Sequence, residues 1–236
     1  MDGTSTCILL ILSAAFGKYV YIKEKKTWQD AQAYCRMIHT DLAPVSNMLD
    51  MKLLMQLYGK SNEYMWIGLE RNSTDSKKWT WSGGGAVSTF FWDAGEPSNH
   101  LDEDYGVSHA PSVWHDSRSN RDRAFFCYRV VVVKERKTWE EALIYCREHH
   151  RDLASVASDT EMLLIQKELN KGNTTPSVWI GLHFFPGSWL WVDGQPLSYE
   201  AWGQEGKPAL NVAAAHVKES VWKACDCEKR LHFICY

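Results

Sequence analysis

The chain has 236 residues and a formal net charge of −3. Apolar residues make up 45% and charged residues 23%, which excludes wholesale disorder, and the lack of a basic excess argues against nucleic-acid binding. Seven Cys and 12 Trp are the unusual counts, and they suit a secreted, disulfide-bearing protein with an aromatic core.

Residues 7–16 (CILLILSAAF) form an apolar run too short to span a bilayer, which takes about 20 such residues. Small residues stand at Ala15 and Gly17, so residues 1–17 read as a signal peptide cleaved before Lys18. The run lacks a basic flank, and a buried N-terminal strand is the competing reading. No second long apolar run follows, so no membrane span is expected.

Thr27 and Asp30 then open a helix as an imperfect capping box. Met51, Leu54, Met55 and Tyr58 lie on one stripe of a second helix, and that stripe reads as core. After Trp66-Ile67-Gly68-Leu69 the chain turns to short aromatic and β-branched runs, broken by Gly, Asn, Asp and Ser. These predict short strands and a long irregular loop, the usual place for function. The pattern then repeats. Thr138 and Glu141 form a T-x-x-E box, and Trp139, Ala142, Leu143 and Cys146 share the face of the helix it opens. Ser158 and Glu161 open another. Sequons at Asn72 and Asn173 would carry glycans in a secreted chain.

The repetition is systematic. Lys26 to Arg36 (KTWQDAQAYCR) matches Lys137 to Arg147 (KTWEEALIYCR). Asp41-Leu42-Ala43 recurs as Asp152-Leu153-Ala154, and Trp66 to Leu69 as Trp179 to Leu182. Trp79-Thr80-Trp81 recurs as Trp189-Leu190-Trp191, while Trp114 and Cys127 recur as Trp222 and Cys235. Five blocks in one order define two homologous α+β domains, residues 18–128 and 129–236, with almost no linker.

These residues resemble the C-type lectin-like domain. The signature is Trp28 and Cys35, Trp66 to Leu69, Glu96-Pro97, Trp114-His115-Asp116, and Phe125-Phe126-Cys127. The second copy offers Trp139 and Cys146, Trp179 to Leu182, Trp222, and Phe233-Ile234-Cys235. The tandem arrangement is similar to soluble, mannose-receptor-type lectins. The resemblance implies two helices, two small antiparallel sheets and a long loop region in each domain. It also implies outer bridges Cys35–Cys127 and Cys146–Cys235. The family's inner bridge is missing. Its positions hold Tyr105 and Ser119 in copy one, and Val212 and Cys227 in copy two. Cys227 and the nearby Cys225 are left over, and a bridge between them would be strained. A disulfide-linked oligomer through one of them and two free thiols both stay open. A zinc site from Cys225, Cys227, His232 and Cys235 is disfavoured, because C-x-C is not a usual zinc spacing.

In sugar-binding members of the family, an E-P-N triplet, a later Glu and an N-D pair share one calcium ion with two sugar hydroxyls. The resemblance therefore implies calcium held by Glu96, Glu103 and Asp116 in domain 1 only. Glycans or glycoproteins would be met by Glu96, Asn99, Glu103, His115 and Asp116. Ser98 stands where the triplet has Asn, and His115 replaces the Asn before Asp116. Imidazole is a poor calcium ligand. A polar loop without metal is the competing reading. In copy two the segments are Lys207-Pro208-Ala209 and Lys223-Ala224, which exclude calcium there. No G-x-S-x-G, H-E-x-x-H or phosphate loop points to an enzyme. The expectation is a secreted, carbohydrate-binding lectin. The rival is a calcium-independent protein-recognition module using the same loop surface.

Overall fold

The computed structural model describes residues 17–59, 62–110, 112–172, 174–185, 188–204, 206–207, 212–216 and 220–236. Nearly all of the expected leader, the Asn173 sequon and the Pro208-Ala209 pair lie outside them.

The first copy runs β1 (Tyr19–Lys26), α1 (Trp28–Ile38), β2 (Asp41–Leu42), α2 (Met48–Tyr58), β3 (Met65–Arg71), β4 (Trp79–Trp81), β5 (Tyr105–His109), β6 (Val113–Ser117) and β7 (Arg123–Tyr128). The second runs β8 (Val131–Lys137), α3 (Trp139–His149), α4 (Asp159–Asn170), β9 (Ser177–Phe185), β10 (Ser188–Trp191), β11 (Val212–His216), β12 (Val221–Ala224) and β13 (Leu231–Cys235). Thr27 and Thr138 cap α1 and α3 as expected. The reciprocal box closes only at Thr138, where Glu141 returns to the cap backbone.

In each copy the strands join into one path, β1-β7-β3-β5-β6 in the first and β12-β11-β9-β13-β8 in the second. Among the described residues, the named strands pair antiparallel except for one short parallel register per copy, Trp66 beside Phe125 and Phe233 beside Trp179. That register makes each copy's strands one mixed sheet, joining β7 to β3 in the first copy and β13 to β9 in the second. The outer bridges form where the resemblance implied, Cys35–Cys127 and Cys146–Cys235, with all four residues buried.

Among the described residues, three apolar clusters form the core. One belongs to copy one around Trp28, Trp66 and Phe125, and one to copy two around Trp139, Trp179 and Phe233. The third is shared: Tyr19, Met51, Leu54 and Tyr128 of copy one pack with Met162, Leu164, Ile165 and Tyr236 of copy two. The short junction thus leads into a continuous core rather than a hinge.

The polar centre of that core is Lys18. Its Nζ lies 2.6 Å from Asp50 Oδ1 and 2.8 Å from Glu161 Oε1, with all three side chains buried. Burial alone would lower the ammonium's pKa, but Asp50 and Glu161 outweigh it and hold it above the ordinary lysine range. Burial pushes Glu161 up, against the pull of Lys18. Ser158 caps α4 by accepting from the Glu161 amide, but the Glu161 side chain accepts from Ala157 N and turns to Lys18. Tyr19 OH donates to Pro44 O, Tyr236 OH to Ser155 O, and the Tyr128 and Tyr236 hydroxyls meet at 3.1 Å.

Gly83 sits at the seam. A Cβ there would fall 2.6 Å from Leu164 Cδ2 and 2.8 Å from its Cγ. Gly83 O also accepts from Lys167 Nζ at 2.6 Å. Gly83→Val is therefore expected to force the copies apart and cost about 1–3 kcal/mol, the range for overpacking a filled core. Urea unfolding measures this; an unchanged midpoint would refute it.

Candidate functional site

The long loop between β4 and β5 hangs from tryptophans. Trp92 bridges in parallel to Trp114, whose amide donates to Phe91 O at 2.7 Å. The rings of Trp79, Trp81 and Trp92 gather around the fully buried Trp114 or each other. Copy two repeats this with Trp189, Trp191, Trp202 and Trp222. The positions of the lost inner bridge are tied to Trp28 instead. Tyr105 packs against its ring at 4.6 Å, and Ser119 O accepts from its amide at 3.0 Å. In copy two the amide of Trp139 donates to Cys227 O.

The loop then makes a cis peptide at Glu96-Pro97 and a left-handed residue at Asn99, with φ of 55°. These turns bring the expected residues together, and Ser98 is their hub. Ser98 N donates to Glu96 Oε2 at 3.0 Å and to Asp116 Oδ1 at 2.9 Å. Ser98 Oγ lies 2.8 Å from Glu103 Oε2 and 3.0 Å from Asp116 Oδ1. Asn99 N donates to Asp116 Oδ2 at 2.8 Å. His115 Nδ1 is 3.2 Å from Glu96 Oε1, and its Nε2 is 3.3 Å from Asp93 Oδ2 without hydrogen-bond alignment. Burial, reinforced by Asp116, pushes the Glu96 carboxyl up. Asp116 is itself buried, but hydrogen bonds from Glu96, Asn99 and Ser98 hold it below the usual carboxylate range.

Residues that the sequence reading passed over complete the site. Arg71, at the end of β3, aims its guanidinium into the loop and reaches Asp116 Oδ2 at 3.6 Å. An aromatic shelf adjoins Glu96. Tyr64 stacks on His109 at 4.3 Å, and His115 meets Tyr64 edge-on at 5.1 Å. Each of these is an ordinary strand or loop residue in the sequence, and the β3–β5 and β5–β6 pairings together put them side by side.

The donor set does not fit a calcium ion as arranged. Both Asp116 oxygens already accept from Ser98 and Asn99, and a guanidinium faces one of them. Calcium asks for six to eight free oxygens. Among the described residues no group of three His, Cys, Asp or Glu is spaced to hold a metal.

Asn72 lies on the turn after β3, where its Oδ1 accepts from Thr74 N and Asp75 N. In copy two Lys223 stands on β12, and Lys207 pairs with Glu200 at 2.6 Å. Cys225 and Cys227 are both half-buried thiols, unbridged within the chain, and burial pushes each one's pKa up. No helix among the described residues is long and apolar enough to cross a membrane.

The structure is a duplicated α+β fold of the C-type lectin-like class, with polar groups gathered on a tryptophan-hung loop. The chain belongs to the C-type lectin family: the Lectin C-type domain matches residues 24–129 and 135–236. It is 24% identical over 233 residues to C-type mannose receptor 2 of Homo sapiens, covering 81% of this chain and 16% of the receptor. It is 23% identical over 258 residues to lymphocyte antigen 75 of Mesocricetus auratus, covering 90% and 15%. This chain thus spans only a small part of those two proteins. Killer cell lectin-like receptor subfamily F member 1 of Macaca fascicularis is 35% identical over 103 residues, 43% of each chain. The structure of the mouse scavenger receptor C-type lectin carbohydrate-recognition domain aligns with a TM-score of 0.45 at 22% identity, covering 50% of this chain and 93% of that one.

Proposed function

We propose that this chain is a secreted, carbohydrate-binding C-type lectin that binds its ligand and releases it unchanged. Its units are residues 18–128 and 129–236. The first meets glycans through Glu96, Asn99, Glu103 and His115, with Asp116 holding the loop. The second, with Lys223 in place of a carboxylate, does not share that site.

One observation carries this reading: carboxylates converge on Ser98 beside a shelf of stacked rings. Carboxylates accept hydrogen bonds from neighbouring sugar hydroxyls, and ring faces cover the apolar side of a pyranose. A panel of immobilised monosaccharides, mannose included, tests it. Glu96→Gln is expected to weaken retention about tenfold or more, the loss of one hydrogen bond to a charged acceptor. No retention on any sugar, or unchanged retention of the variant, removes the glycan reading.

Protein recognition by the same loop is favoured by Phe90 and Leu101, which are 45% and 78% exposed there. Under that reading the sugar columns stay empty.

A further inference from the structure

We infer that Arg71 does in domain 1 the loop-organising work that the resemblance assigns to a calcium ion and an inner disulfide, so that the site is built without metal. The inference concerns the free protein and holds whichever ligand the loop takes.

The geometry is that of a clamp. Arg71 Nε donates to Asp104 Oδ1 at 2.6 Å, and Nη1 to Ser76 O at 2.9 Å. Nη2 donates to Asn99 Oδ1 and to Glu103 O, both at 3.0 Å, and lies 3.6 Å from Asp116 Oδ2. The Arg71 amide also donates to Asp104 O at 2.8 Å. One side chain thus ties the turn after β3, the apex of the long loop, its return and β6. The head group lies over the Trp79 ring, 4.4 Å from the centroid, and the side chain is 14% exposed. A planar fork stacked on an indole is held in one orientation, which a lysine would not reproduce.

Copy two supplies an internal control. Trp66 to Leu69 aligns with Trp179 to Leu182, so Phe184 occupies the position of Arg71. Phe184 packs on Trp189, the counterpart of Trp79, with ring centroids 5.5 Å apart. The packing partner is retained, while the cation is gone from the copy that has lost its carboxylates. The positive charge follows the negative charges, as expected of a resident counter-ion. A calcium ion at Asp116 would meet that charge within a few ångströms, in a partly buried setting where repulsion is poorly screened.

Hydrogen exchange of residues 96–104 in the full chain tests the inference, because the Ser98 and Asn99 amides are bonded to carboxylates. In the wild type, calcium or a chelator is expected to leave exchange unchanged. Arg71→Met is expected to exchange about tenfold faster, the opening that loss of a charge-assisted hydrogen bond allows. Calcium should slow that variant again, because its carboxylates have lost their counter-ion. Arg71→Lys should fall between the two. A wild-type response to calcium overturns the proposal. So does an Arg71→Met chain that exchanges at the wild-type rate, or one that exchanges faster but ignores calcium. If Arg71→Met does not fold, calorimetric titration of the wild type with calcium decides: heat saturating at one site overturns the proposal, and its absence upholds it.

Discussion

Replacing Lys18 by Met is expected to destabilise the folded chain by about 3–5 kcal/mol, the cost of breaking a buried ion pair from one side. Lys18 faces two carboxylates, Asp50 and Glu161, and both are fully buried. Without the ammonium they repel each other where water cannot reach them. One partner sits on α2 and the other on α4, so the penalty acts on the seam between the copies. Urea unfolding measures it as a fall in midpoint. Adding Asp50→Asn and Glu161→Gln should recover most of the loss, since a triad replaced as a whole leaves no stranded charge. A single variant within about 1 kcal/mol of wild type, the range of an exposed pair, would show that the triad is not the linchpin of the seam. The triad also sets an alkaline limit. Lys18 titrates higher folded than unfolded, so its contribution is complete below about pH 10.4 and is lost as pH rises through the folded value. The wild type should show this alkaline loss, and Lys18→Met should keep only the part set by Tyr19, Tyr128 and Tyr236, whose hydroxyls burial also holds above the ordinary range.

Removing the Cys35–Cys127 bridge by paired alanine substitutions is expected to cost about 4–5 kcal/mol, the loop-closure entropy for a separation of 92 residues. The Cys146–Cys235 bridge spans 89 residues and should cost the same within error. Each ties a first helix to a last strand deep in its own cluster. Because both copies also contribute to the third cluster, loss of either bridge should lower the stability of the whole chain. Thermal unfolding of the two variants, followed by fluorescence of the tryptophans, checks this. A variant that loses half its signal early and keeps the rest at the wild-type temperature would mean that the copies melt separately.

Much of the architecture was legible because it is local or repeated. Thr138 with Glu141, the Met51–Leu54 stripe and the paired Trp and Cys blocks carry their meaning within a few residues or through the internal match. The convergence of Glu96, Glu103 and Asp116 was legible only through the family resemblance. What escaped the sequence was long-range and charged. Lys18 looked like a residue left at a cleavage point, yet its partner Glu161 is 143 positions away. Glu161 looked like half of a capping box, a role that α4 fills without its side chain. Arg71 drew no reading at all. The available signal was its mismatch with Phe184, two positions after the shared Trp-Ile-Gly-Leu segment. Ser98, read as a lost ligand, turned out to be the atom group around which the carboxylates are arranged.

The core shared between the copies has a consequence for valency. Where domains are strung on flexible linkers, two binding faces search a volume together, and their effective concentration depends on linker length. Here only Arg129 and Val130 separate β7 from β8, and the Lys18 triad and the Tyr128–Tyr236 contact lock the orientation. The loop region of the first copy is therefore held at a fixed distance from the second copy. Were a second epitope to meet the second copy, avidity would follow only from a matching spacing.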